Sequence, residues 1–253
     1  MTSASDQLQD TAAIVTGATS GLGRAVAVRL AAAGAHVALL GRSEPDLGTT
    51  AEIVRSHGVR ALPLKADLAD TTALGELVDR VADELAPIAV LVNAAGTDAP
   101  GSAESVAVAD WERVVAVNLT APFALAREAM PHMRRRGGGL VVNISSVAGR
   151  RGWANASAYC ATKFALTGLT QSLAAEGRED GIRVCVVYPG AMSTSWGTFD
   201  PTQRQTTASE PPDERDTLDP AVVADLIAWM ATAPGQPVLN EVTVTPLREG
   251  GWP

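Results

Sequence analysis

The chain has only two cysteines, Cys160 and Cys185, and three scattered histidines, His36, His57 and His132, in 253 residues. Two thiols so placed make no disulfide framework, and neither they nor the histidines have metal-ligand spacing, so no metal is expected. A reducing compartment fits, and the cytoplasm is the expected location. Basic side chains are also short, since 20 Lys and Arg against 28 Asp and Glu leave a formal net charge of −8. Nucleic acid and anionic membranes both select concentrated basic surface, so neither is expected as a routine partner. The one dense basic run, Arg134-Arg135-Arg136 before Gly137-Gly138-Gly139, reads as a helix C-terminus, where cations meet the negative end of the dipole. No apolar run reaches a bilayer-spanning length, because Arg29 and His36 interrupt the best candidate. Residues 1–10 lack the basic start and apolar core of a signal peptide and are expected to fray. Neither an internal repeat nor a coiled-coil heptad is present.

What the chain does have is a series of short apolar, β-branched runs alternating with helical patterns. Strands are expected at 12–16, 36–40, 59–64, 88–93, 140–144, 182–188 and 241–244. Such runs, without strict alternation, suit a parallel sheet covered on both faces, with right-handed crossovers. The length allows one α/β domain with a substantial core, and no boundary interrupts residues 11–253.

The first strand leads directly into Gly17-Ala18-Thr19-Ser20-Gly21-Leu22-Gly23, after which Leu22, Val26 and Leu30 recur at helical spacing. Gly17 suits a tight turn, Gly21 admits a diphosphate to the backbone, and Gly23 permits close packing. The new helix offers its free N–H groups to the anion, and Gly34 supplies its stop. The spacing departs from Gly-x-Gly-x-x-Gly, so the flanking strand and helix carry the reading. Where the second strand ends, an NAD site places an acidic side chain against the ribose hydroxyls. Here the chain reads Gly41-Arg42-Ser43, followed by Glu44. A guanidinium with a neighbouring hydroxyl suits a 2′-phosphate, so NADP(H) is the preferred cofactor and NAD(H) the alternative.

Further on, Ser146 precedes Tyr159 by thirteen residues, and Lys163 follows Tyr159 by four. On a helix, positions i and i+4 share a face, so Tyr159 and Lys163 point into the same groove. Hydride arriving at a carbonyl carbon leaves an alkoxide, which needs a proton from a group suited to neutral pH. An ammonium about 4 Å from a phenol, at an effective dielectric of about 20, favours the phenolate by about 4 kcal/mol. Ser146 can hold the carbonyl oxygen by a bond that tightens as charge develops. The pair alone also fits a half-buried aromatic beside a solvated lysine.

Together these residues resemble the short-chain dehydrogenase/reductase family, from about Thr11 to about Val244. The resemblance rests on Thr16-Gly17 through Gly23, Asn93-Ala94-Ala95-Gly96, Val117-Asn118, the Ser146, Tyr159 and Lys163 set, and Pro189-Gly190 with Thr194. It implies a Rossmann-like doubly wound sheet and an enzyme in which Tyr159 is the acid/base. Lys163 would tune the phenol and hold the nicotinamide ribose, Ser146 would orient the carbonyl, and Asn118 would position a relay water. It implies cofactor contacts from Gly17, Thr19, Ser20, Gly21, Leu22, Gly23, Asp67, Leu68, Asn93, Ala94, Gly96, Pro189, Gly190 and Thr194, besides Tyr159 and Lys163. A helix-cap role competes for Asp67 or Asp70, and Asn118 also fits a helix kink before Pro122. A homodimer or homotetramer through the long helices near Asn118 and Tyr159 is a further implication.

The substrate side is expected in a lid over residues 191–217, where Met192, Trp196 and Phe199 are the main large apolar side chains. Trp153 would line the same pocket or pack between subunits. The tail, 245–253, lacks the Val-Asp-Gly-Gly of many acyl-carrier-protein reductases of this family. The expected activity is therefore interconversion of a secondary alcohol and a ketone or aldehyde on a small, partly apolar molecule. A 3-oxoacyl-thioester reductase, with Arg150-Arg151 as its carrier-docking cations, is the enzymatic alternative, and an NADP-binding regulator the non-enzymatic one.

Overall fold

The computed structural model describes residues 8–194, 216–233, 235 and 237–249. Its seven strands are β1 Ala12–Thr16, β2 His36–Gly41, β3 Ala61–Lys65, β4 Ile88–Asn93, β5 Gly139–Ile144, β6 Ile182–Pro189 and β7 Glu241–Val244. They form one sheet in the order β3-β2-β1-β4-β5-β6-β7, and every pairing is parallel. The chain leaves β1 toward β2 and β3, then crosses back to place β4 on the other side of β1. That reversal opens a crevice at the carboxyl ends of β1 and β4, where doubly wound sheets take their ligands.

Side-chain alternation builds a core on each face. Ala13 and Val15 of β1 pack with Val26, Leu30, Leu47 and Ile227, under α1 Gly21–Ala32, α2 Glu44–Arg55 and α7 Pro220–Thr232. Ala12 and Ile14 face the other way, onto Val78, Leu125, Met133 and Leu173. That face is covered by α3 Leu74–Glu84, α5 Ala121–Arg136 and α6 Ser157–Gly177. Burial on both sides makes β1 and β4 wholly buried, which is why both read as unbroken apolar runs.

The edge strand departs from expectation. β3 begins at Ala61, paired with Val37; just before it the Arg60 carbonyl accepts from the Val37 N–H at 3.0 Å and the Arg60 N–H donates to His36 Nδ1 at 3.1 Å. Pro63 within β3 fits this outer position, where only one neighbour needs hydrogen bonds. Residues 8–10 also differ from the fraying expected of them. Leu8 is 3% exposed in the core, and its carbonyl accepts from the Thr11 hydroxyl at 2.6 Å.

Two local breaks shape the site. Between α4, Val108–Val115, and α5 lies a single π-helical turn, Ala116–Thr120, directly before Pro122. Proline offers no N–H to the preceding turn, so the helix widens there. At its other end α5 stops after Arg134–Arg136 at Gly137, which takes a left-handed φ of +91°. Arg134 there pairs with Asp180 at 2.7 Å. Among the described residues, no helix is long and apolar enough to cross a membrane.

Candidate active site

A cavity of about 1080 Å³ lies at the carboxyl ends of the central strands, and the glycine loop forms one end of its wall. Gly17 and Gly21 have φ of +68° and +50°, which L side chains rarely adopt. A Cβ on Gly23 would come within 3.0 Å of the Gly17 carbonyl oxygen, so only glycine lets α1 start against the loop. Thr19, Ser20 and Leu22 complete this part of the wall. Arg24, which sequence reasoning passed over, pins the loop from beneath by bonding the Thr19 carbonyl and, at 3.0 Å, the Thr50 hydroxyl. Its signal was a cation in a helix's first turn, where the dipole disfavours it.

Arg42, Asp67 and Leu68 line the cleft beyond the loop. Asp67 accepts from the Ala69 N–H and pairs with Arg113 of α4 at 3.1 Å. The Ala69 bond first, then Arg113 and Arg42, hold the Asp67 carboxyl below the usual carboxylate range against its partial desolvation. Neither Asp67 nor Asp70 caps α3, whose N-cap residue is Ala73; Asp70 bonds Thr72 instead. Ser43 is not in the cleft wall. Its hydroxyl oxygen caps α2 by accepting from the Asp46 N–H at 3.4 Å. Glu44 lies 3.8 Å from Lys65.

At the other end, β5 runs into Ser145 and Ser146. The Ser146 hydroxyl oxygen accepts from the Ala148 N–H at 3.1 Å, capping the short turn Val147–Gly149, and the residue lines the cleft. Its O–H is thereby turned to act as donor elsewhere. Tyr159 and Lys163 occupy the first two turns of α6 and line the same cleft. Lys163 is 3% exposed; its Nζ donates to the Ile144 carbonyl at 2.8 Å and lies 5.4 Å from the Tyr159 ring centroid. Burial lowers its pKa to about 8. An ammonium this near the ring favours the phenolate over the phenol.

Asn118 and Asn93 are near this cluster but not in the cleft wall. Asn118, 1% exposed in the π turn, accepts from the Thr97 N–H and donates to the Thr97 carbonyl, each at 2.8 Å, and to the Thr162 hydroxyl at 3.1 Å. It clamps the loop after β4 to α6. Asn93 donates to Asn143 at 2.8 Å, and Asn143 to Thr170 at 2.9 Å, which ties β4 through β5 to α6. Ala94 and Gly96 do line the cleft.

Pro189, Gly190, Met192, Thr194 and Trp153 form the remaining wall, so Trp153 faces the cleft. Trp196 and Phe199 lie outside the described residues, as do 195–215 of the expected lid, residues 1–7 and 250–253 of the tail. Glu249 also lines the cleft, which sequence reasoning missed. Arg150 is not a free docking cation: it pairs with Glu241 of β7 and its guanidinium carbon lies 4.2 Å from the Tyr188 ring centroid.

The model of the short chain dehydrogenase family matches residues 11–204. The cis-4-hydroxycyclohexanecarboxylate dehydrogenase of Sinomonas cyclohexanicum is 36% identical over 242 residues, covering 95% of each chain. Among solved structures, a metagenomic short-chain oxidoreductase in complex with NADP is 32% identical, with a TM-score of 0.81 over 95% of this chain and 99% of that one. A short chain dehydrogenase from Mycobacterium paratuberculosis bound to NAD is 28% identical, with a TM-score of 0.84 over 95% and 98% of the two chains. With a parallel doubly wound sheet, a glycine loop at its reversal point and Ser146, Tyr159 and Lys163 in the adjoining wall, the chain belongs to the short-chain dehydrogenase/reductase family of NAD(P)-dependent oxidoreductases.

Proposed function

We propose that the protein interconverts a secondary alcohol and its ketone or aldehyde with NADP(H), acting on a small, partly apolar substrate. The observation that carries this reading is the convergence of Ser146, Tyr159 and Lys163 at one end of a cleft whose other end is the glycine loop and Arg42. The bound dinucleotide supplies or accepts the hydride. Tyr159 gives its phenolic proton to the substrate oxygen in reduction and takes it back in oxidation. The Lys163 ammonium, near the ring and largely shielded from water, favours the phenolate that results. Ser146 donates to the same oxygen as its charge grows.

Gly17, Thr19, Ser20, Gly21, Leu22 and Gly23 are the proposed diphosphate cradle, helped by the first N–H groups of α1. Asp67 and Leu68 would meet the adenine, and Ala94, Gly96, Pro189, Gly190 and Thr194 the remaining cofactor. Asn93 and Asn118 act as positioning residues, since their side chains are committed to buried partners. Arg42 is proposed for the 2′-phosphate together with Ser43, whose hydroxyl oxygen accepts at the N-terminus of α2 and whose O–H stays free to donate. The NADP complex of one relative supports the preference, and the NAD complex of another sets what must be tested.

Trp153 and Met192 supply apolar surface for the substrate, and the related cis-4-hydroxycyclohexanecarboxylate dehydrogenase is named for a ring alcohol. For the thioester alternative Arg150 is engaged by Glu241, and Arg151 is the exposed docking cation that remains. A homodimer or homotetramer in the cytoplasm belongs to the same reading, supported by Trp111, Phe123 and Phe164 standing 38%, 46% and 46% exposed on α4, α5 and α6. The test follows NADPH and NADH absorbance across ketones, aldehydes, sugars and acyl thioesters. Turnover of ketones or aldehydes with NADPH is expected, and Tyr159→Phe should bind NADPH yet lose most of it. Retained turnover in that variant, or turnover of thioesters alone, overturns the reading.

A further inference from the structure

Gly190 has no conformational reason to be glycine, since its φ lies outside the left-handed region that eight other described glycines occupy. What a side chain there would meet, and displace, is the carboxyl-terminal tail. A Cβ on Gly190 would come within 3.0 Å of the Glu249 Oε2 and 3.1 Å from the Cδ of Pro246. The same Oε2 accepts from the Ala191 N–H at 2.7 Å. The Gly190 N–H donates to the Val244 carbonyl at 2.8 Å, and the Glu249 N–H to the Pro246 carbonyl at 3.2 Å, so residues 246–249 turn back over the exit of β6.

That exit is one wall of the cleft. The Ala191 carbonyl accepts from the Leu218 N–H at 2.8 Å and the Ser193 N–H donates to the Leu218 carbonyl at 2.9 Å, so Ala191 is held from two sides. Three residues further, Thr194 meets the glycine loop: a Cβ on Gly21 would lie 3.2 Å from the Thr194 Cγ2. Where Ala191 sits therefore fixes the gap between the β6 exit and the diphosphate cradle. An acceptor supplied by a carboxylate holds a backbone N–H more firmly than a neutral one.

We propose that Glu249 is a positioning residue of the cofactor site, and that Gly190 is glycine so that this carboxylate can seat against the β6 exit. The inference deepens the proposed function, resting on the cleft being the dinucleotide site.

The test uses the full chain and four variants: Glu249→Ala, Glu249→Gln, Gly190→Ala and Gly190→Ala with Glu249→Ala. NADPH dissociation constants are read by fluorescence titration, and exchange of the Ala191 amide proton by NMR without cofactor. Loss of a charge-assisted bond should weaken NADPH binding about tenfold in Glu249→Ala and speed Ala191 exchange. Glu249→Gln keeps an acceptor and should recover most of both. Gly190→Ala should match Glu249→Ala, and the double variant should be no worse than either, because the displaced carboxylate is already gone. Ala191 exchange unchanged in Glu249→Ala, wild-type NADPH affinity in that variant, or additive losses in the double variant each overturn the proposal. Should Gly190→Ala fail to fold, the Glu249→Ala and Glu249→Gln pair still decides. A wild type that protects Ala191 but binds no NADPH would refute the parent reading while leaving the Glu249 contact in place.

Discussion

Lys163→Met removes one buried charge and keeps an unbranched side chain of similar reach, and its consequence for stability can be worked from the structure. Burial lowers the lysine from its ordinary 10.5 to about 8. The native state therefore holds this proton less tightly than the unfolded chain does. Below about pH 8 both states are charged, and the native state bears the full burden of an ammonium out of water. At about 1.4 kcal/mol per pH unit, the gap from 10.5 to about 8 amounts to about 3 kcal/mol. Between those two values the unfolded chain binds more protons than the native one, so unfolding free energy rises with pH. Above 10.5 both are neutral and the burden is gone.

The methionine variant has no such proton. It also leaves the Ile144 carbonyl without its Nζ donor, which costs about 1–3 kcal/mol, but that loss does not depend on pH. Subtracting the two pH–stability curves therefore isolates the Lys163 charge together with its coupling to Tyr159. Cys185, which burial first and then Glu241 push up to about 12, and Tyr188, raised chiefly by burial, occur in both chains and cancel. Urea unfolding of the cofactor-free proteins from pH 7 to 10.5 should show the wild type gaining about 3 kcal/mol relative to Lys163→Met. Parallel curves, or a wild type that loses ground as pH rises, would refute the account of Lys163 as a charge held in a low dielectric.

Carbonyl reduction should decline as pH rises through about 8, because the Lys163 ammonium is lost there, and a pH profile of kcat/KM checks it. A profile flat to high pH would separate turnover from that charge. Arg42→Ala should raise KM for NADPH about tenfold or more and leave that for NADH nearly unchanged, by steady-state kinetics with each cofactor. Equal effects on both would count against Arg42 as the 2′-phosphate contact. Gly23→Ala forces a methyl against the Gly17 carbonyl, which should destabilise the protein by about 1–3 kcal/mol and weaken NADPH binding. Unchanged melting temperature and affinity would show that α1 can shift off the loop freely.

The parts of this fold that could be read from the sequence are those where local physics leaves few choices. β1 and β4 are buried on both faces, so their residues are apolar throughout and their bounds follow. Gly17 and Gly21 adopt left-handed backbone, which restricts the residue type at the site itself. Tyr159 and Lys163 are neighbours because a helix makes them so. β3 was less legible, since where it starts depends on its pairing with Val37 of an adjacent strand. Asn118, Arg113 and Glu249 were least legible of all. Their partners Thr97, Asp67 and Ala191 lie 21, 46 and 58 residues away, and a polar residue that finds a distant partner leaves no periodicity behind. Ser43 is the opposite case: its bond from the Asp46 N–H is local and places it at the N-terminus of α2.

The buried polar bonds around α6 explain why the fold keeps a costly lysine. Ser145 donates to the Lys163 carbonyl at 3.0 Å, Lys163 to the Ile144 carbonyl, Asn143 to Thr170, and Asn118 to Thr162. Each fixes the helix to β5 or to the π turn, and buried hydrogen bonds of this kind rigidify what they join. The helix then has little freedom to turn Tyr159 away from Ser146, or to let Lys163 reach bulk water. Exclusion of water is also what makes the Lys163 charge expensive, because the same low dielectric that penalises an ammonium strengthens its pull on a phenolate nearby. Stability lost at Lys163 and reactivity conferred on Tyr159 thus have one origin, and a change that restores solvent to this pocket should relieve the first only by weakening the second.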